Sequence, residues 1–356
     1  MQFKDIAVQR VVINRLTQGI DEGRVPHAQL LVGEEGAGVL PVAIAYAQYL
    51  SCQDRQHYAD AEAHDGLRAD SCGACPNCRK YQQLMHPDLH LLFPTATTSE
   101  VKDHPSSEQL VGIFRNFLAE TRQHGSLDDW HRFSGINDKI SMIRDDDAAE
   151  VMRVLGMKSY EGGWKTLIVW MAEKMNLTVA NKLLKALEEP TDNTLFLLVA
   201  ADTDRLLPTV LSRTQRVYLP PLPPAARPAG QQEDAAQMAQ WFVAWMRQLF
   251  KLNMAQLAAW TREVGGAGRE TQRRFLLYAQ DSVRACLMTH EAGLPLDRDF
   301  GDDKFNASFP AMVTRNNAEG LCAAFDETLR AVTQGARATL ALMELSFKIS
   351  KLLKRR

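Results

Sequence analysis

A short glycine-rich segment has the spacing of a phosphate-binding loop but lacks the side chains that act on phosphate. Gly33 and Gly38 stand at the two glycine positions of the pattern G-x-x-x-x-G-K-[ST], and Gly36 adds a third glycine. In that pattern the lysine neutralises the outer phosphates and the hydroxyl holds magnesium. Val39 and Leu40 occupy these two positions and can do neither. The segment taken alone is equally compatible with a plain glycine-rich turn.

An enzyme that hydrolyses ATP also needs an acidic pair at the end of a buried strand, because one carboxylate holds magnesium and the other orients water. The continuous apolar run 166–170 predicts such a strand. Trp170 and Met171 stand where the two carboxylates are expected, and Glu173 lies beyond the strand end. The side chains that act on phosphate and magnesium are thus missing both at the glycine loop and at the end of the strand. We therefore expect no cofactor-binding residues here and no hydrolysis of ATP by this chain.

Four of the six cysteines predict a metal site. Cys72, Cys75 and Cys78 are clustered closely, and Cys52 stands at the end of the preceding predicted helix. Four thiolates suit the tetrahedral preference of Zn²⁺. The pattern implies no open coordination position for a substrate. We therefore predict a structural zinc module at about residues 52–78.

The identity of the fourth zinc ligand stays open, because the gap that follows Cys52 is long. His57 and His64 both fall inside this gap, and either is an alternative to Cys52. Free thiols and a redox pair are the other interpretations of the cysteine segment. Cys286 and Cys322 stand in helical patterns, and we expect both to be buried core residues.

The elements that must position these residues are strands that alternate with helices. Continuous apolar runs between helical patterns are typical of the buried strands of a parallel sheet. The predicted strands are 28–32, 166–170, 195–201 and 216–219. The predicted helices are 5–22, 41–51, 107–123, 140–156 and 178–189. This alternation predicts an α/β domain over residues 1–219.

The composition of the chain changes after this first predicted domain. Residues 220–236 are rich in Pro and Ala, which predicts a stiff linker. Residues 237–356 have a mostly helical pattern and are expected to form an all-α domain. The sequence therefore predicts two domains joined by a short linker.

Bulk properties exclude some classes of function. The formal net charge of −2 gives no global basic field, so contact with nucleic acid would need a local patch or partner subunits. No apolar run reaches the roughly 20 residues of a membrane helix, and the N-terminal segment lacks the apolar core of a signal peptide. We expect a cytoplasmic protein without membrane contact.

Two segments resemble the clamp-loader family of AAA+ proteins. The first is 172–190, which ends in Leu-Glu-Glu-Pro, and the second is 206–215. The second segment resembles the Ser-Arg-Cys motif of the family, with Thr214 in place of the cysteine. The segment 25–28 before the glycine loop is similar to the family as well. The loss of both nucleotide motifs resembles the delta-prime subunits of bacterial DNA polymerase III clamp loaders.

The resemblance covers about residues 1–219 with specific motifs and is looser beyond them. It implies a degenerate AAA+ P-loop-type domain with a zinc module, followed by an all-α C-terminal collar domain. It also implies a non-hydrolysing subunit that helps to load the sliding clamp on primed DNA within the DNA polymerase III holoenzyme. Arg213 would act in trans as an arginine finger at the ATP site of a neighbouring subunit, with Ser212 beside it.

The implied partners are the clamp-loader ATPase subunits and the delta subunit, with the sliding clamp and primed DNA contacted through the complex. Two other functions remain open: an active clamp-loader motor ATPase, and a zinc-containing AAA+-like adaptor outside replication. The family normally has a three-helix lid domain before the collar. Residues 220–236 are too few for such a lid, so we expect either a reduced lid or lid remnants merged into the next domain.

Basic residues mark the end of the final predicted helix. They are Lys348, Lys351, Lys354, Arg355 and Arg356. Positive charge at a helix C-terminus is favourable by itself. Contact with DNA or with an acidic partner is the alternative interpretation.

Overall fold

The computed structural model describes residues 1–356 except 7–8, 35–36, 137–138, 223–228, 252 and 355–356. The chain divides into two compact units, Met1–Pro228 and Ala229–Arg356. Gly36, Arg355 and Arg356, which the sequence analysis singled out, lie outside the described residues.

The first unit is built on a five-stranded sheet whose strand order is β4-β5-β6-β1-β7 and whose paired strands all run parallel. Its strands are β1 (Ala28–Val32), β4 (Leu89–Leu92), β5 (Lys165–Trp170), β6 (Thr194–Ala200) and β7 (Gln215–Tyr218). Every residue of β1, β5 and β6 is buried. Such burial on both faces explains the continuous apolar runs. The predicted parallel α/β sheet is confirmed.

Helices cover both faces of this sheet. They are α1 (Arg10–Asp21), α2 (Val39–Ser51), α3 (Pro76–Gln82), α4 (Ser107–Glu120), α5 (Leu127–Ser134), α6 (Asp145–Gly156), α7 (Leu177–Glu188) and α8 (Pro208–Leu211). Alternate residues of β6 point to opposite faces. Leu197 belongs to the core that contains the buried side of α2, whereas Leu198 belongs to a second core with Val179 and Leu183 of α7.

Polar caps in the sequence set several helix ends. At the start of α4, Ser106 and Gln109 form a reciprocal capping box. The side chain of Asn176 accepts a hydrogen bond from the backbone N–H of Val179 at the start of α7. Pro190 follows α7 closely and cannot continue the helix. Local chemistry therefore accounts for these boundaries.

Two segments of the first unit differ from the sequence prediction. Residues 53–71, which lie outside all the predicted helices and strands, contain an antiparallel pair formed by β2 (Gln56–His57) and β3 (Ala69–Asp70). The Asp70 carboxylate pins β3 by accepting hydrogen bonds from the backbone N–H groups of Phe3 and Lys4, at 3.0 and 2.9 Å. The helix expected from residue 140 begins only at Asp145. Ile143 instead exchanges backbone hydrogen bonds with the segment 174–176.

Helices are the regular secondary structure of the described part of the second unit. Its helices are α9 (Ala229–Lys251), α10 (Met254–Gly266), α11 (Arg269–Ala292), α12 (Asp303–Ser308), α13 (Arg315–Thr333) and α14 (Ala338–Lys354). Trp245 and Trp260 stack in the core with ring centroids 4.8 Å apart. Cys286 is buried as expected, whereas Cys322 is only half-buried. No helix among the described residues is long and apolar enough to cross a membrane.

The stretch 220–236 is only partly the linker that the sequence predicted. Helix α9 begins at Ala229, so the second half of this stretch is helical. Its Gln, Glu and Ala residues are good helix formers, which outweighs the Pro-rich composition that precedes them. Among the described residues of 216–240, the end of β7 and the start of α9 occur rather than three helices.

Two glycines near α4 provide a matched pair of tests. A Cβ on Gly125 would lie 2.3 Å from a ring carbon of Phe117, whereas a Cβ on Gly112, inside α4, would meet open space. We expect Gly125→Ala to lower the free energy of unfolding by about 1–3 kcal/mol through overpacking. Gly112→Ala should raise it by up to about 1 kcal/mol, because alanine favours a helix. Urea denaturation measures both, and equal values for the two variants would contradict the packing described here.

Candidate functional site

The glycine loop connects β1 to α2 at the carboxyl edge of the sheet. The backbone N–H of Gly33 donates to the carbonyl oxygen of Ala200 at 3.2 Å, which joins the loop to the end of β6. A Cβ on Gly33 would lie 2.8 Å from the Cγ2 atom of Val39 and 3.1 Å from the carbonyl oxygen of Leu219, so a larger residue would crowd both neighbours. Gly38 has a left-handed backbone with φ of 77° and directly precedes α2. The described part of the loop therefore starts a helix as a phosphate-binding loop does.

The four residues that replace the nucleotide chemistry are all buried. Val39, Leu40, Trp170 and Met171 are between 4% and 7% exposed. Trp170 packs against the ring of Phe114, with centroids 5.4 Å apart. These side chains belong to one apolar core. The positions where charge would act on phosphate and magnesium therefore carry packed hydrocarbon and indole.

A cavity of only about 40 Å³ remains beside the glycine loop. Its lining includes Gly33, Val39 and Trp170. Pockets that hold small molecules and cofactors have volumes of roughly 300–1,000 Å³. The cavity has room for a few water molecules but not for a nucleotide in the described conformation.

Residues 123–125 narrow this cavity from the side of the α4–α5 turn, and the sequence analysis did not identify them. Gln123 adopts a left-handed backbone with φ of 67° and is buried. His124 follows it against the glycine loop and also lines the cavity. Burial lowers the pKa of His124, so its ring is neutral at pH 7 and offers no positive charge to a phosphate. Gly125 and the Ser126–Asp129 capping box at the start of α5 are sequence signals for this turn.

Glu173 does not replace the missing acidic pair. Its carboxylate accepts a hydrogen bond from the backbone N–H of Ala201 at 3.1 Å, which ties the turn after β5 to the end of β6. Burial raises the pKa of Glu173 and favours the neutral carboxyl. This arrangement suits a structural link between strands better than a ligand for magnesium.

The structure brings four cysteines together at the end of α2. The sulfur atoms of Cys52, Cys72, Cys75 and Cys78 all lie within 4.8 Å of one another. The sulfurs of Cys72 and Cys78 are 3.9 Å apart. A zinc–sulfur bond of about 2.3 Å in a tetrahedron places sulfurs roughly 3.8 Å apart. The donor set therefore fits Zn²⁺ with little rearrangement.

Backbone N–H groups are directed at these sulfurs, as suits thiolates. The N–H of Cys72 donates to the sulfur of Cys52 at 3.3 Å, and the N–H of Cys75 donates to the sulfur of Cys72 at the same distance. A hydrogen bond between the Cys78 and Cys52 sulfurs lowers the pKa of Cys52 to about 5 and raises that of Cys78. The group therefore already favours one thiolate.

Local backbone geometry holds this cysteine group in place. Cys52 directly follows α2, and Cys75 caps the N-terminus of α3. The side-chain amide of Asn77 donates to the carbonyl oxygen of Ser51 at 2.8 Å, which ties α3 to α2. Gly73 between the ligands has φ of 71°, a conformation that favours glycine.

The two histidines that were alternatives to Cys52 have other neighbours. The Nε2 atom of His57 lies 3.9 Å from a carboxylate oxygen of Asp21. The ring of His64 stacks on Tyr58 with centroids 3.8 Å apart. Cys52 is the residue that the structure groups with the other three cysteines.

Arg213 follows the short helix α8, and Ser212 is the C-terminal cap of that helix. The Arg213 side chain is 36% exposed. Thr214, which stands in place of the motif cysteine, is buried, and its hydroxyl donates to the carbonyl oxygen of Val210 at 3.0 Å. Neither Ser212 nor Arg213 is among the described residues that line the cavity beside the glycine loop.

The basic end of the second unit is partly neutralised. The ammonium group of Lys348 lies 2.7 Å from Glu327 and 2.9 Å from Glu344. Lys351 and Lys354 are exposed on α14. Positive charge in the last turn of a helix is favourable without any ligand. These contacts favour the structural interpretation of the described basic residues.

Comparison with known proteins gives one family. The protein-family model described as "DNA polymerase III, delta subunit" matches residues 8–223. The DNA polymerase III subunit delta' of Bacillus subtilis is 27% identical over 219 residues, which are 62% of this chain and 50% of that protein. The DNA polymerase III subunit tau of Escherichia coli is 24% identical over 217 residues, which are 61% of this chain and 25% of that protein.

The matches to curated relatives cover only part of each relative. The matched stretch spans about half the length of the first delta' relative. A solved structure, a DNA polymerase III gamma subunit-related protein from Thermotoga maritima, is 13% identical at a TM-score of 0.41. That similarity covers 96% of this chain and 99% of the other, at a level too low to compare sites.

Restoring the two missing loop side chains tests whether the cavity limits nucleotide binding. We expect Val39→Lys combined with Leu40→Thr to leave ATP binding undetectable, because Trp170 and Met171 still fill the space. The buried lysine should lower the free energy of unfolding by about 2–3 kcal/mol. Val11→Lys, at a valine that is 85% exposed, is the matched control and should change little. Titration with a fluorescent ATP analogue and urea denaturation measure both effects, and micromolar binding would refute this prediction.

Removing one sulfur tests the metal site. We expect Cys75→Ser to lose bound zinc and to lower the Tm by roughly 5–10 °C, because structural zinc stabilises the folded state. Cys322→Ser, at a half-buried cysteine outside the group, should keep both zinc and Tm. Elemental analysis by mass spectrometry and calorimetry give the two values. Equal zinc content in the two variants would exclude the four-cysteine site.

Proposed function

Because the chain belongs to the DNA polymerase III delta subunit family, a family of clamp-loader subunits, we propose that it acts in a clamp loader without hydrolysing ATP itself. In this proposal its first unit is a degenerate AAA+ domain over residues 1–219. The helical region from about residue 237 is the collar domain, with a short linker and no full lid between them. The proposed partners are clamp-loader ATPase subunits and a delta subunit, which together load the sliding clamp on primed DNA.

The single observation that carries this proposal is the filled nucleotide position. Val39 and Leu40 at the start of α2, and Trp170 and Met171 at the end of β5, are buried together where charged groups would act. About 40 Å³ of open volume remains beside them. Loss at two sites that are far apart in sequence but adjacent in space is better explained by a dispensable ATP site than by separate substitutions.

The role that remains for such a subunit is to serve the ATP site of a neighbour. Arg213 is partly exposed. Ser212 and Arg213 match two of the three positions of the family's Ser-Arg-Cys motif, and Thr214 takes the place of the cysteine. An arginine supplied in trans stabilises charge on the transferring phosphoryl group. We propose that Arg213 has this role. Its site of action would be the cytoplasm, where bacterial DNA is replicated.

Zinc has a structural part in this proposal. Cys52, Cys72, Cys75 and Cys78 would hold Zn²⁺ through four thiolates, which leaves no coordination position for a substrate. When bound, the metal would supply a fixed link between α2 and α3. The chain's own contribution is to keep the sulfurs close together with backbone N–H donors directed at them.

An active motor ATPase is the second candidate, since the chain also matches the tau subunit of Escherichia coli. The filled nucleotide position is evidence against this candidate. A zinc-containing adaptor outside replication is a third. Reconstitution separates the three: a motor turns over ATP alone, a non-hydrolysing subunit changes turnover only in the complex, and an adaptor changes neither.

Arg213→Ala tests the proposed role directly. We expect turnover at the neighbouring ATP site to fall by about a thousandfold or more, which lowers the ATPase of the assembled complex by the share of that site. Assembly should be unchanged, because the side chain is partly exposed. Arg216→Ala, at an exposed arginine on β7, is the matched control. Unchanged ATPase in a fully assembled complex that contains Arg213→Ala would remove the arginine-finger role.

A further inference from the structure

In this chain the Arg213 guanidinium is directed back at its own subunit. Its Nη2 atom lies 2.5 Å from a carboxylate oxygen of Glu188, the last residue of α7. Its Nη1 atom donates to the carbonyl oxygen of Thr209 at 3.2 Å and to the hydroxyl of Ser212 at 3.4 Å. Both terminal nitrogens therefore already have acceptors.

Those acceptors compete with any phosphate for the same donors. A guanidinium presents its N–H groups in one fixed plane, and carboxylate and phosphate oxygens match that fork equally well. An arginine finger contacts a phosphoryl group of another subunit, so its terminal nitrogens must first leave the acceptors they have. Glu188 is the charged acceptor among the three. Breaking its ion pair therefore accounts for most of the free energy needed to release the Arg213 guanidinium.

We propose that Glu188 is a positioning residue that holds Arg213 against its own subunit until nucleotide phosphates of a neighbour displace it. This inference rests on the proposed arginine-finger role. It assigns to Glu188 a negative effect on that role: the ion pair lowers the fraction of chains in which Arg213 is free to reach outward.

The strength of this ion pair suits a contact that must be reversible. The Arg213 and Glu188 side chains are 36% and 49% exposed, so water screens their attraction. Exposed ion pairs of this kind shift an equilibrium by about two- to fivefold at most. A phosphate carries more negative charge than a carboxylate and can displace it. The expected effects of removing Glu188 are therefore small but measurable.

The chain offers a matched control at the next position. Glu189 is exposed like Glu188 and directly follows α7 as its C-terminal cap. Glu188→Gln and Glu189→Gln make the same chemical change and remove the same charge. The Arg213 ion pair involves Glu188, so only the first variant removes it.

The first experiment uses the full chain alone and does not depend on any complex. Phenylglyoxal, a reagent that modifies arginine, is applied to wild type and both variants, and mass spectrometry follows the labelling of Arg213 relative to Arg216. We expect Glu188→Gln to raise the Arg213 rate by about two- to fivefold and Glu189→Gln to leave it unchanged. The increase should disappear at high salt, where the pair is already screened. Equal rates in the two variants would overturn the proposal.

The second experiment measures the ATPase of the reconstituted complex. Glu188→Gln should raise kcat/KM for ATP by up to about fivefold over Glu189→Gln, because the competing ion pair is absent from the starting state. A rise in labelling without a rise in kcat/KM would overturn the competition between Glu188 and phosphate. If Arg213→Ala lowers ATPase but the two glutamate variants behave alike, Glu188 has no such role and the arginine finger stands. If Arg213→Ala has no effect, the arginine-finger role on which this inference rests fails.

Discussion

The parallel pairing of β1 with β6 is the constraint on which the candidate site depends. It runs in register from Ala28 opposite Phe196 to Val32 opposite Ala200, so both strands end at the same edge of the sheet. The hydrogen bond from Gly33 to Ala200 continues this pairing into the glycine loop. Because β5 lies on the other side of β6, its end is brought beside that loop as well. Residues about 130 positions apart in the chain thus share one small volume.

What fills this volume decides what the subunit can do. In an ATPase this volume must stay open, polar and hydrated. The nucleotide then compensates the buried backbone and charged groups around it when it binds. Here Trp170 packs on Phe114, and Val39 and Leu40 join the same apolar core. Burial of such side chains stabilises the fold by about 25 cal/mol for each Å² of apolar surface removed from water. A chain that has no need of nucleotide can therefore be stabilised at the site where its relatives would bind it.

The fold was largely predictable where local pattern and packing agree. Buried parallel strands need continuous apolar runs, so β5 and β6 were found within one residue of their observed bounds. The prediction was wrong where overall composition and local helix propensity conflict. The stretch 220–236 is Pro-rich, but α9 begins at Ala229 because the residues that follow Ala229 favour a helix. The prediction also missed the β2–β3 pair, since the hydrogen bonds that pin it come from Phe3 and Lys4, far away in sequence.

The candidate site, like the fold, was predictable from the sequence only in part. The sequence by itself determined which chemistry is missing, because a phosphate loop and its acidic pair are defined by residue type at fixed spacing. It also determined that Cys72, Cys75 and Cys78 would lie close together, since they are neighbours in the chain. Only the tertiary structure decided that Cys52 joins them, that residues 123–125 narrow the cavity, and that Arg213 pairs with Glu188. Each of these contacts joins separate elements, and spacing along a chain carries no information about how those elements pack.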